Sequence, residues 1–143
     1  MSEIKFNKTL ANVCLLITDG EHGTVKDDPQ GGCFLLSNKN IENGFINITN
    51  SERRISLNKK NKLNRRTKLG RDTILISTVG SVGKLAYLYN NNINFALQRS
   101  VGVIKPNPNL INPYFVYCLL QTEGYQSKID SMACGSVQRC IFI

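Results

Sequence analysis

The spacing of apolar and polar positions changes several times along the chain, and each change predicts an element. Residues 10–17 are apolar and open as a short helix or a strand. TDGEHG at 18–23 reads as a loop from its Asp-Gly pair, extended by Pro29, Gly31 and Gly32. Residues 33–36 form a short strand, and Asn43-Gly44 is a turn signal before the β-like stretch 45–48. Ser56 caps a helix through Leu63, with Leu57 and Leu63 facing inward. The β-branched content of 73–78 predicts a strand, and 84–89 and 95–104 read as two more, the last ended by Pro106 and Pro108. Asn112-Pro113 begins a helix, since Asn caps and Pro suits the first turn. Tyr114, Tyr117, Cys118 and Gln121 then share one face, with Phe115 and Leu119 nearby. Tyr125, Ile129 and Met132 recur at helical spacing until Gly135, and the closing SVQRCIFI is strand-like. The order predicts one α+β domain over residues 1–143: a twisted, mostly antiparallel sheet or partial barrel, with a late helical pair around 112–133.

Charge changes this picture most. The net charge of the 143 residues is +8, and nine basic residues with no acid lie between Arg53 and Arg71. The remaining nine basic and ten acidic residues nearly cancel, so one segment carries the excess. Such a run is a solvated surface unless a polyanion neutralises it, and the usual polyanion is nucleic acid. The segment has no Trp, Tyr or Phe to anchor it at a membrane surface. No apolar run reaches the length of a membrane span, and the N-terminus lacks the apolar core of a signal peptide. A soluble cytoplasmic protein is expected. The five cysteines show no CxxC pair and read as free thiols in a reducing compartment, so no metal is expected.

RDTILISTVGSVGK at 71–84 raises the question of a phosphate-binding loop. Counting back from Gly83-Lys84 puts Thr78 where the first glycine of a P-loop belongs, and Leu85 where its hydroxyl belongs. LAYLY then alternates as a strand rather than opening a helix. The glycines therefore turn the chain between two strands, although bare N–H groups beside Lys84 would also suit a phosphodiester. No nucleotide or other cofactor is expected. Asn112-Pro113-Tyr114 is better explained by capping than by amino-methyltransferase chemistry, and Asp27, Asp28 and Asp72 do not form the carboxylate cluster of a metal nuclease.

Six segments, in order, resemble the target recognition domain of the specificity subunit of type I restriction–modification enzymes. They are DGEHGT (19–24), FLLSNKNIENGFI (34–46), GRDTILISTVGSVGK (70–84), FALQRSVGVIKPN (95–107), NPYFVYCLLQT (112–122) and GSVQRCI (135–141). Val25 stands where the family often has proline, and Arg71 separates the usual Gly-Asp pair. The resemblance implies a non-catalytic reader of double-stranded DNA, working with methyltransferase and restriction subunits that bind the cofactors. The chain stops about where a spacer helix would begin, which leaves a truncated gene, an exchange cassette or a half-subunit that forms a homodimer. The chemistry of the side chains assigns phosphate contacts to Lys59, Lys60, Lys62, Arg65, Arg66 and Lys68, with Lys84 added. Base contacts are assigned to Gln98, Arg99, Gln138 and Arg139, which can make paired hydrogen bonds. Pairing of these motifs with Asp72 is the structural alternative. The exposed loop offers His22 to DNA or to a partner. The competing expectation is a protein that binds and modulates a restriction–modification complex without reading DNA.

Overall fold

The computed structural model describes residues 8–135 and 138–141. A short helix α1 (Leu10–Val13) leads directly into β1 (Cys14–Asp19). Then come β2 (Cys33–Leu36), a two-stranded hairpin of β3 (Ile41–Glu42) and β4 (Phe45–Ile46), β5 (Arg53–Ile55) and helix α2 (Leu57–Thr67). The second half runs β6 (Thr73–Ser77), β7 (Leu85–Leu88), β8 (Phe95–Leu97), β9 (Val101–Pro106), α3 (Pro113–Leu120) and α4 (Glu123–Met132). The fold is α+β. A four-stranded antiparallel sheet has the order β1-β9-β6-β7, and a three-stranded sheet has the order β5-β2-β8. The β2–β8 pair is parallel. The sheets stay open and do not close into a barrel.

Burial explains the uniform TILIS run of β6. As the strand between β9 and β7, it is covered on both faces. Leu75 points into a core with Leu36, Leu97, Val101 and Val103. Ile74 and Ile76 point the other way, against Val116, Tyr117 and Leu120 of α3. A third cluster, Val25, Cys33, Leu35, Ile55 and Ala96, lies under Leu63 of α2. A strand buried on both sides loses the apolar–polar alternation of a half-buried one.

Several expectations need correction. The predicted strand 95–104 is two strands, because the chain leaves β2 at Leu97 and joins β1 and β6 from Val101. Helix α2 runs a turn beyond Leu63 and ends at Lys68, whose backbone is left-handed (φ 48°). Leu63 faces inward, but Leu57 is 58% exposed: it stands at the first helical position, before the inward stripe begins. On α3 the buried stripe is Pro113, Val116, Tyr117 and Leu120, while Tyr114, Phe115 and Cys118 face outward. Met132 is 65% exposed. Of the closing SVQRCIFI, residues 136, 137, 142 and 143 lie outside the described residues; Cys140 bridges Val79 and Cys134.

The Asn112 cap is formed as expected. Its Oδ1 accepts from the N–H groups of Tyr114 at 2.9 Å and Phe115 at 3.1 Å. Asn112→Ala removes the acceptor of both bonds and is expected to lower unfolding free energy by about 1 kcal/mol in a denaturant titration.

Candidate nucleic-acid interface

Helix α2 separates its charges by face. Ser56 accepts the Lys59 N–H at 3.1 Å and starts it. Toward the body, Lys60 Nζ donates to the Ile93 carbonyl at 3.0 Å and Asn64 Nδ2 donates to that of Phe95 at 2.8 Å. Leu63 and the buried Thr67 complete this inner stripe at i, i+3, i+4, i+7 spacing. Lys60 is therefore directed inward rather than out to a ligand. Lys59, Lys62, Arg65 and Arg66 occupy the other positions. Among the described residues Lys62 and Arg65 have no acidic partner. Arg65 and Arg66 also suit the last turn, where the helix dipole favours cations. Lys68 is exposed at the helix end, and its carbonyl accepts from Lys105 Nζ.

The other candidates collect at one end of the four-stranded sheet. Asp19 pairs with Gly102, Gly102 with Ile76, and Ile76 with Leu85. That row places the end of β1, the start of β9, the end of β6 and the start of β7 side by side. The loop after Asp19, the turn at 98–100 and the Gly80–Gly83 turn therefore leave from the same rim. They are bonded together. Glu21 donates its N–H to Leu97 O at 2.7 Å and accepts from the Arg99 N–H at 3.0 Å. Thr78 donates its N–H to Ser100 O at 3.0 Å and its hydroxyl to Arg99 O at 3.1 Å. The 138–141 segment hooks on next to it, with Gly80 N–H to Arg139 O at 2.8 Å and Ile141 N–H to Thr78 O at 2.9 Å.

Glu21, His22, Thr24, Arg53, Gln98 and Arg99 help to line a cleft of about 280 Å³ at this rim. Arg53 closes its side, reaching the Val25 carbonyl at 2.6 Å and Asp27 at 2.7 Å. Arg99 is exposed and has no acidic partner among the described residues. His22 Nε2 lies 2.7 Å from Asp19 Oδ2, and the other oxygen of Asp19 pairs with Arg66 of α2. One carboxylate thus ties the charged helix to the rim.

The remaining candidates are placed differently. Gln138 is exposed, but the Arg139 guanidinium is held on α4, at 2.7 Å from both Asp130 Oδ1 and the Asp130 carbonyl. Asp72 pairs with neither motif. Its Oδ1 accepts from the Tyr87 hydroxyl at 2.6 Å and lies 3.8 Å from Arg71 Nε. Burial and this carboxylate together push the Tyr87 hydroxyl far above the ordinary tyrosine range. Lys84 shares the rim's end of the sheet but lines a separate cleft with Tyr117, Gln121 and Gln126.

The Gly80–Gly83 turn does not offer a phosphate cradle. Gly80 N–H goes to Arg139 O, Val82 N–H to Gly80 O at 3.0 Å, Gly83 N–H to Ser77 O at 2.9 Å, and Lys84 N–H to Ser77 Oγ at 2.8 Å. Gly80 and Gly83 have φ of 73° and 92°, so their role is to turn the chain. Among the described residues no three His, Cys, Asp or Glu side chains could hold a metal ion, and no helix is long and apolar enough to cross a membrane.

Asp19, Thr78 and Arg53 were not among the candidates read from the sequence. Asp19 and Arg66 are 47 residues apart, and only the placement of α2 against β1 joins them.

No protein-family model matches the chain, and no curated protein is significantly similar to it. Solved structures share its fold. One is the crystal structure of a type I restriction–modification system S subunit from M. genitalium, with TM-score 0.57 and 18% identity over 99% of this chain. Another is the HsdS subunit from Thermoanaerobacter tengcongensis, with TM-score 0.55 and 12% identity over 92% of this chain. The match covers 33% and 31% of those two chains, so this chain spans about a third of their length.

Proposed function

We propose that this chain reads duplex DNA as a target recognition domain of type I restriction–modification specificity subunits, and directs chemistry done by other subunits. The observation that carries this reading is the join between α2 and the rim cleft. A cationic helix whose Lys62 and Arg65 have no acidic partner among the described residues lies next to a cleft with the base-reading chemistry of Gln98, Arg99 and His22. Phosphate contacts set register, and side chains with paired donors and acceptors read base edges. Lys59, Lys62 and Arg65 take the first role, with Lys68 beside them and Lys84 farther along the rim. Gln98 and Arg99 take the second, with His22 and the exposed Gln138. Methyltransferase and restriction subunits are the proposed partners, and a second copy of this chain would supply the other half of a split site.

Selection of bound sequences from random duplexes tests the proposal. An enriched motif supports it, and an unenriched pool overturns it. With about five phosphates neutralised, log K falls with log salt at a slope near −4 to −5. Arg99→Ala is expected to weaken the enriched duplex by about 1–3 kcal/mol and to relax the motif at one position, as a repeated selection would show.

A second reading, a partner-binding protein that does not read DNA, draws on a different surface. Phe45, Tyr89 and Tyr114 are exposed and contiguous, with ring centroids 6.2 Å and 6.4 Å apart. Aromatic side chains of this kind are enriched where proteins dock. Capture of restriction–modification subunits that survives nuclease treatment, from a chain that enriches no motif, would favour it.

A further inference from the structure

One cation of α2 already has its counterion. The Arg66 guanidinium pairs with Asp19 Oδ1, and its Nε reaches Thr18 Oγ1 at 3.3 Å. Asp19 Oδ2 in turn lies 2.7 Å from His22 Nε2. The Asp19 side chain is only 16% exposed and is held from both sides, by the helix and by the loop. A guanidinium committed to a carboxylate in this way adds little net charge for a phosphate to meet.

We propose that Arg66 is a positioning residue and not a phosphate contact: through Asp19 it fixes the His22 loop beside Gln98 and Arg99. This deepens the DNA-reading proposal above and rests on it. One physical consequence follows from the geometry: Asp19 engages Nε2 of His22, so Nδ1 is the ring nitrogen left for a base edge.

The test compares Arg66→Gln, Asp19→Asn and Lys62→Gln in the full chain. The first readout is amide hydrogen exchange without DNA. Arg66→Gln and Asp19→Asn are expected to speed exchange across residues 20–25 roughly 10-fold, with protection of β6 and β9 unchanged. The second is affinity for a selected duplex and for a random one across salt. Arg66→Gln is expected to lower affinity for the selected duplex roughly 10-fold and to leave the random duplex and the salt slope unchanged. Arg66→Lys, which keeps the charge, restores part of the discrimination. Lys62→Gln instead weakens both duplexes and flattens the slope by about 0.9. The proposal is overturned if Arg66→Gln behaves like Lys62→Gln, or if exchange at 20–25 does not change. A wild-type chain that treats selected and random duplexes alike defeats the DNA-reading proposal. The exchange readout still decides whether Arg66 anchors the loop.

Discussion

Replacing Lys59, Lys62 and Arg65 together with glutamate is expected to abolish measurable duplex binding near physiological salt while the protein stays folded. Each neutralised phosphate contributes a salt slope of about 0.9, worth roughly 0.7 of a decade in affinity at 0.15 M salt. Three lost contacts therefore remove about two decades, and the reversed charges add repulsion that takes the loss to about three. The slope itself is expected to shrink by about 2.7. The fold tolerates the change because the inner stripe of Lys60, Leu63, Asn64 and Thr67 is left intact. At the C-terminal turn Arg65→Glu replaces a favourable cation with an anion, a cost of about 1 kcal/mol. A titration that shows unchanged slope and affinity would remove α2 from the interface. A circular-dichroism melt on the same sample shows that any loss is not unfolding.

This helix also shows where sequence reading reaches and where it stops. Ser56 as a cap and the basic character of 53–71 are local properties, and both are found in place. The Asn43-Gly44 turn is equally local, and both residues take the positive φ it demands, 51° and 86°. Which cations face outward is not local. Lys60 turns inward because the Ile93 carbonyl, 33 residues away, lies within reach. The same limit explains the strand predicted over 95–104. Its two ends are β-like, but nothing in the polar Gln98-Arg99-Ser100 between them says that the two halves join different sheets. The rim cleft depends on that change. Gln98 and Arg99 are presented at a turn because β8 belongs with β2 and β9 with β1 and β6. Residue chemistry nominated the pair, and topology gave it a place beside His22. Arg139 had the same chemistry, yet α4 holds its guanidinium on Asp130. Composition cannot separate the two cases, since each is a Gln-Arg pair within a strand-like, largely apolar stretch.

Gly20→Ala is expected to separate the reading function from the charge-driven one. A Cβ at Gly20 would stand 2.3 Å from the carbonyl oxygens of both Leu97 and Gln98. These are backbone atoms and they are already engaged: Leu97 O accepts from the Glu21 N–H at 2.7 Å and Gln98 O from the Val101 N–H at 3.0 Å. The added methyl must push the 20–25 loop off the 98–100 turn or distort the crossing between the two sheets. Overpacking of this kind costs about 2 kcal/mol, which lowers the melting temperature by roughly 6 °C for a domain of this size. Gly32→Ala is the matched control, because its Cβ would meet nothing within 4 Å. That variant is expected to be neutral or slightly stabilising. In binding, Gly20→Ala is expected to bring affinity for a selected duplex close to that for a random one. Its salt slope stays that of the wild type, because Lys59, Lys62 and Arg65 have not moved. The α2 reversal gives the opposite signature, a reduced slope with both duplexes weakened. A Gly20→Ala protein that melts with the Gly32→Ala control and discriminates like the wild type would show that the loop and the turn do not act as one reading surface.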